Sequence, residues 1–158
     1  MSMLANPSNS SIEMQARDTE ATAKQLGLGM RLITTSTAGE IDRAFAAMIS
    51  QEGKALLVAS DPFLTARHQQ IVDLAAKYSI PAIYPWREYA VAGGLISYGS
   101  SNTDAYHRAA QYVARILSGS KPTEVPIWQP TKFELVINLN TVQGTWPHHS
   151  TDAARAGR

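Results

Sequence analysis

"ALLVASDPF", residues 55–63, decides how the rest of the chain is read. Apolar or small residues from Ala55 to Ala59 run straight into Ser60, Asp61 and Pro62, and a new helical pattern begins a few residues later. A run this apolar does not alternate, and a proline bounds it, so it reads as a short buried strand. The carboxylate of Asp61 then sits at the carboxyl end of that strand. Two readings stay open. Asp and Pro favour turns and helix caps, while open α/β sheets take ligands at the carboxyl ends of their strands.

Outward from this stretch the same unit repeats. "MSMLA" (1–5) is a short apolar run stopped by "NPSNSS", a turn and a helix start. Ile12, Ala16, Thr19, Ala23 and Leu26 then step by three and four along one helical face, closed by Gly27 and Gly29. "MRLIT" (30–34) is a strand, and Ile41, Ala44, Phe45 and Met48 mark the buried side of the next helix. After "ALLVAS" a helix is expected from about Thr65, with Ile71, Leu74, Ala75 and Tyr78 inward, and "PAIY" (81–84) is a further strand. The order β-α-β-α-β-α-β is that of a parallel sheet wound by right-handed crossovers, an α/β, Rossmann-like lobe.

After Tyr84 the rhythm changes. "PWREYAVAGG" is a short helix or loop, "LISYG" (95–99) a strand, and Tyr106, Ala109, Val113 and Ile116 share one face of a capped helix ended by Gly119. "KPTEVPIWQP" (121–130) is a linker. "KFELVINL" (132–139) alternates, with Phe133, Leu135, Ile137 and Leu139 on one side, and is expected to be half-buried. From Asn140 no period is sustained, and a largely disordered tail is expected.

Composition narrows the function. The chain has 158 residues, 44% hydrophobic and 17% charged, enough for one domain with a real core. The net charge is +1 and the charges are spread, which gives neither a basic stripe for nucleic acid nor a polybasic membrane patch. With no cysteine, disulfides, zinc–thiolate centres and thiol nucleophiles are excluded. The opening "MSMLANPSNSS" lacks the basic and apolar regions of a signal peptide, so the chain as encoded is expected to stay in the cytoplasm.

Motifs of chemistry are sparse. "LGLGM" falls between a helix and a strand, the wrong context for a dinucleotide loop. A receiver-type phospho-acceptor would need carboxylates after the first strand, where "NPSNSS" has none. His148 and His149 are adjacent in the tail and not at metal-ligand spacing, so no metal site is assigned and no cofactor is expected. His68 and His107 lie inside amphipathic helices, no G-x-S-x-G is present, and Glu88 with Asp104 is an unremarkable carboxylate pair. The strand ends instead collect Asn6, Ser8, Thr35, Ser36, Ser60, Asp61, Tyr84, Trp86, Arg87 and Tyr98. Hydroxyls, an amide, a carboxylate, a guanidinium and rings at one rim suit a small polar or zwitterionic ligand, bound without chemistry.

The segments "LANPSNSSIEMQARD" (4–18), "YPWREY" (84–89), "GGLISYG" (93–99) and "QPTKFELVINL" (129–139) resemble ABC transporter substrate-binding proteins, the subgroup with tryptophan- and tyrosine-type members. The resemblance covers about residues 3–140. It implies the type I periplasmic-binding fold, in which two Rossmann-like lobes close on a solute and deliver it to an ABC permease in the periplasm. Carried over residue by residue, Asn6, Ser8, Asp61, Tyr84 and Tyr98 match cleft-facing strand ends, with Arg87 and Asp104 as further candidates. It also implies that residues 1–93 form one lobe, that 94–140 belong to the other lobe and the hinge, and that 141–158 depart from the pattern. The chain is thus expected to be a non-enzymatic solute-binding component lacking its first lobe. Three alternatives stand beside this: a ligand-sensing regulatory module of the same fold, an α/β hydrolase-like enzyme using Asp61 or Glu88, and a remnant whose apolar faces at Tyr106, Val113 and Ile116 drive self-association.

Overall fold

The computed structural model describes residues 1–50 and 55–145. The repeat unit is present in order: β1 (Ser2–Ala5), α1 (Ile12–Gln25), β2 (Arg31–Thr34), α2 (Ala38–Ser50), β3 (Leu56–Val58), α3 (Pro62–Ala66), α4 (His68–Lys77), β4 (Ala82–Tyr84), α5 (Arg87–Val91) and β5 (Ile96–Ser100). There follow α6 (Asn102–Leu117), a single 3-10 turn at Pro122–Glu124, β6 (Phe133–Ile137) and α7 (Leu139–Thr145). The six strands make one sheet in the order β2-β1-β3-β4-β5-β6, parallel except for the antiparallel pair β5–β6.

Topology decides what covers the sheet. The step from β1 to β2 runs one way across it and every later step among the parallel strands runs the other way. Right-handed crossovers therefore put α1 on one face and α2, α4 and α5 on the other. The contacts of α4 with both α2 and α5 agree. The three-helix side is sealed. Leu4, Leu56, Val58, Ala82, Tyr84 and Ser97 all point there and are buried, and they pack with Ile41, Phe45, Met48, Leu64 and Ile71 from the helices.

On the other face the register aligns Leu32, Met3, Leu57, Ile83, Ile96 and Ile137 in one row. Met3, in the strand that leads into α1, is 1% exposed, whereas Ile137 at the far edge is 47% exposed. The residues between them are partly open.

Several expectations change in detail. The helix expected from about Thr65 begins at Pro62, because Asp61 caps it, and breaks at Arg67 into α3 and α4. The alternation of β6 is as read, but its apolar side faces out: Phe133 and Leu135 are 57% and 63% exposed, since no described element lies over them. "LISYG", expected to return to the other lobe, is hydrogen-bonded into this sheet as β5, and β6 pairs with it. The tail expected to lose regular structure at Asn140 starts with α7 instead. Asn138 Oδ1 accepts from the backbone N–H of Asn140 (3.1 Å) and Thr141 (3.2 Å), an Asx cap, and Thr141 Oγ1 donates to the Gly93 carbonyl at 2.8 Å. The remainder of that tail, His148 and His149 included, lies outside the described residues.

The segment between β5 and β6 stands apart. α6 buries none of its residues. It is closed on itself by the linker: the Arg108 guanidinium lies 4.1 Å over the Trp128 ring, and Tyr112 Oη donates to the Pro126 carbonyl at 2.9 Å. Among the described residues no helix is long and apolar enough to cross a membrane.

Candidate functional site

The carboxyl end of β3 carries the answer to the question Asp61 raises. Its backbone is extended, Pro62 begins the helix with no N–H to satisfy, and Asp61 Oδ1 accepts from the Leu64 N–H at 3.0 Å. The same carboxylate also ties together two loops. Asn9 Nδ2 donates to Oδ2 at 3.0 Å, and Asn6 Nδ2 donates more weakly at 3.3 Å. Asn9 reaches the Ser60 carbonyl as well, at 3.3 Å. Asp61 is only 4% exposed, and both its oxygens have partners. It is a cap and a cross-link between the β1 and β3 ends.

Asp61 also borders an open cleft of about 590 Å³, shared with Ser60, Pro62, Thr65, Ala66, His68, Trp86, Glu88 and Asn102. The cleft lies outside the carboxyl ends of β3 and β4, between α3 and α5, where open α/β sheets take ligands. Local structure sets each wall. The two-residue link from β4 to α5 presents Trp86, and the first turn of α5 presents Glu88. Asn102, first residue of α6, donates from Nδ2 to Glu88 Oε1 at 3.3 Å. His68 is held at the α3–α4 break, its Nδ1 3.0 Å from the Thr65 carbonyl. The cleft thus offers an indole ring, an imidazole, a hydroxyl and the free oxygen of a carboxylate, with no nucleophile hydrogen-bonded to a base.

The sequence-expected residues divide. Asn6 and Asp61 are brought together, and the Ser8 N–H donates to Asn6 Oδ1 at 3.0 Å while the Ser8 side chain stays exposed. Tyr84 does not reach the cleft. It is 2% exposed beneath the helices, stacked on Tyr89 with ring centroids 4.8 Å apart, and burial pushes both phenol groups well above their ordinary value. Arg87 is exposed and borders an adjoining groove of about 380 Å³ with Gln69, Val91 and Ala92, which shares His68 and Glu88 with the cleft. Tyr98 lies on the open face of the sheet, stacked on Phe133 at 6.0 Å. Asp104 is in the first turn of α6, paired with Arg108 Nε at 3.1 Å. Thr65, His68 and Asn102 were missed as lining residues. Trp86 had a rim signal, but the other three converge only through the break after Ala66 and the turn into α6. Among the described residues no group of three or more His, Cys, Asp or Glu is placed to hold a metal.

Comparison with known proteins fits this fold. Structures sharing it include the ABC domain in complex with L-Trp from Streptococcus pneumonia, at 21% identity and TM-score 0.79 over 90% of this chain and 49% of that one. A conserved domain protein from Vibrio cholerae matches at 18% identity and TM-score 0.80, over 90% of this chain and 48% of its own. The ligand-free, open structure of a substrate-binding protein with adhesive properties from Clostridium difficile matches at 15% and TM-score 0.66, over 94% and 51%. The chain spans about half the length of these structures. No curated protein sequence matches it. The family profile of the ABC transporter substrate binding protein matches residues 1–145, and the chain belongs to that family.

Proposed function

We propose that this chain supplies one lobe of the solute-binding component of an ABC importer, and that its cleft forms one wall of the solute site. The observation that carries this reading is the open cleft at the carboxyl ends of β3 and β4, bordered by Asp61, Thr65, His68, Trp86, Glu88 and Asn102. Trp86 would stack on a ring or an apolar chain, and Glu88 would accept from an ammonium or hydroxyl group. A small polar solute with an apolar part fits such a wall. An aromatic amino acid is the first candidate, in line with the L-Trp in the streptococcal structure.

In this reading the chain binds and releases its solute without turning it over, and works outside the cytoplasm with an ABC permease as partner. The other wall comes from the half of the fold that this chain does not span, and α6, which buries none of its own residues, packs there. Asn6 and Asp61 hold the rim in shape, while Ser8, Arg87 and Asp104 are peripheral.

The test is a thermal melt of the chain with and without amino acids and small organic solutes. A site filled at about a hundred times its dissociation constant adds roughly 2.7 kcal/mol, a rise of roughly 5–10 °C. One solute class should raise the melt, and Trp86→Ala should abolish the rise, measured against that variant's own solute-free melt because Trp86 also packs against the core. A cooperative melt that no solute moves would contradict the reading.

A further inference from the structure

We propose, resting on the reading of the cleft as a solute site, that this wall binds the cationic amine end of the solute and offers a carboxylate no partner. The ligand class is then an amine that carries a ring or an apolar chain. The direction of the hydrogen bonds around the cleft carries this. The Thr65 hydroxyl donates its one hydrogen to the Asp61 carbonyl at 2.8 Å, so towards a solute its oxygen can only accept. His68 Nδ1 stands 3.0 Å from the Thr65 carbonyl. A carbonyl has no hydrogen to give, so Nδ1 carries the proton, and in the neutral ring Nε2 keeps a lone pair. An edge-on contact with the buried Tyr89 ring, centroids 5.8 Å apart, holds the imidazole in that orientation.

Charge points the same way. Asp61 and Glu88 both border the cleft, and among the described residues neither a lysine nor an arginine does. Asp61 has its oxygens on Leu64, Asn9 and Asn6, yet its charge remains, and Glu88 accepts from Asn102 through Oε1. The donors on this wall, the Ser60 hydroxyl, the Trp86 indole N–H and the Asn102 amide, are all neutral. Arg87 borders the adjoining groove instead. A carboxylate entering the cleft therefore meets two like charges and no cation. An ammonium group finds acceptors on Glu88, Thr65 and His68, and the face of the Trp86 ring attracts a cation as well.

Three probes built on one indole ring separate the two ends: tryptamine has the amine alone, indole-3-propionate the carboxylate alone, and L-Trp both. Amide chemical-shift titrations of the full chain, carried to about 10 mM, cover millimolar affinities. Tryptamine should bind at least as tightly as L-Trp, with saturable shifts at Thr65, His68 and Glu88. Indole-3-propionate should bind about 10-fold or more weakly, the loss expected when charge-assisted bonds to an ammonium are missing. Glu88 is exposed, so Glu88→Gln keeps the fold and should weaken tryptamine about 10-fold while leaving indole-3-propionate no weaker. Indole-3-propionate binding as tightly as tryptamine, L-Trp binding where tryptamine does not, a rim that responds only to solutes without an amine, or tryptamine binding untouched by Glu88→Gln would each overturn the proposal while leaving the cleft a solute site. No shift at the rim with these three or any other solute would remove the solute site itself, and the proposal with it.

Discussion

The two faces of the sheet carry the same kinds of side chain and meet different surroundings. Beneath α2, α4 and α5, Leu4, Leu56, Val58 and Tyr84 are sealed from water. On the opposite face, Leu57, Ile83 and Ile96 are partly open, and Phe133, Leu135 and Ile137 are exposed. Apolar side chains on a strand therefore say where a layer can pack, while topology says whether one arrives. One crossover of the described chain places a helix on the open face, and three place helices on the other. The cleft proposed to take the solute belongs to the rim of the sealed face, between α3 and α5, and so rests on the better supported half of the molecule.

The largest test of this difference is a pair of truncations. Leu4→Ala should cost about 2–5 kcal/mol in chemical denaturation, because it empties a buried site. Leu135→Ala, at an exposed position, should stay within about 0.5 kcal/mol. Equal losses would mean that both faces are covered in solution.

Next comes Gly94, in the turn between α5 and β5. A Cβ there would stand 2.6 Å from the Tyr84 ring and 2.7 Å from the Tyr89 carbonyl. Gly94→Ala should cost about 1–3 kcal/mol through overpacking, and thermal melts of the two chains would measure it. Asp61→Ala should cost about 1–2 kcal/mol, chiefly through the lost cap of α3. The loss should exceed that of Asn9→Ala, which removes one of the donors to the carboxylate and leaves the cap.

Much of this was legible in the sequence. The apolar runs at 1–5, 30–34, 55–59 and 81–84 became strands, because uninterrupted apolar segments between helical patterns have few alternatives in a parallel sheet. Asp61 with Pro62 marked a helix start from local chemistry alone. Two kinds of error arose from non-local causes. Tyr84 sat at a strand end and was expected at the rim, yet a three-residue strand does not reveal which alternation faces the helices. β6 alternated cleanly, but alternation names two faces without saying which is covered. The cleft residues Thr65, His68 and Asn102 meet through the α3–α4 break and the entry to α6, and no spacing along the chain announces that meeting.

A last test is a pH dependence on the sealed face. Burial raises the phenols of Tyr84 and Tyr89 above the ordinary value of 10.0. The folded state therefore keeps its protons where the unfolded chain releases them. The stability linked to these groups is fully present below about pH 10 and falls above it, by about 1.4 kcal/mol per pH unit for each tyrosine until its folded pKa is reached. Melts from about pH 9 to about pH 11 should steepen downward above about pH 10. Tyr84→Phe should flatten that slope.

The most direct measurement is an amide chemical-shift map of the isotopically labelled chain titrated with solutes, beginning with L-Trp. The account predicts saturable shifts concentrated at Ser60, Asp61, Thr65, His68, Trp86, Glu88 and Asn102, with α6 beyond its first turn and the open face nearly still. Saturable shifts centred on Tyr98, Phe133 and Leu135, or none at the rim with any solute, would contradict it.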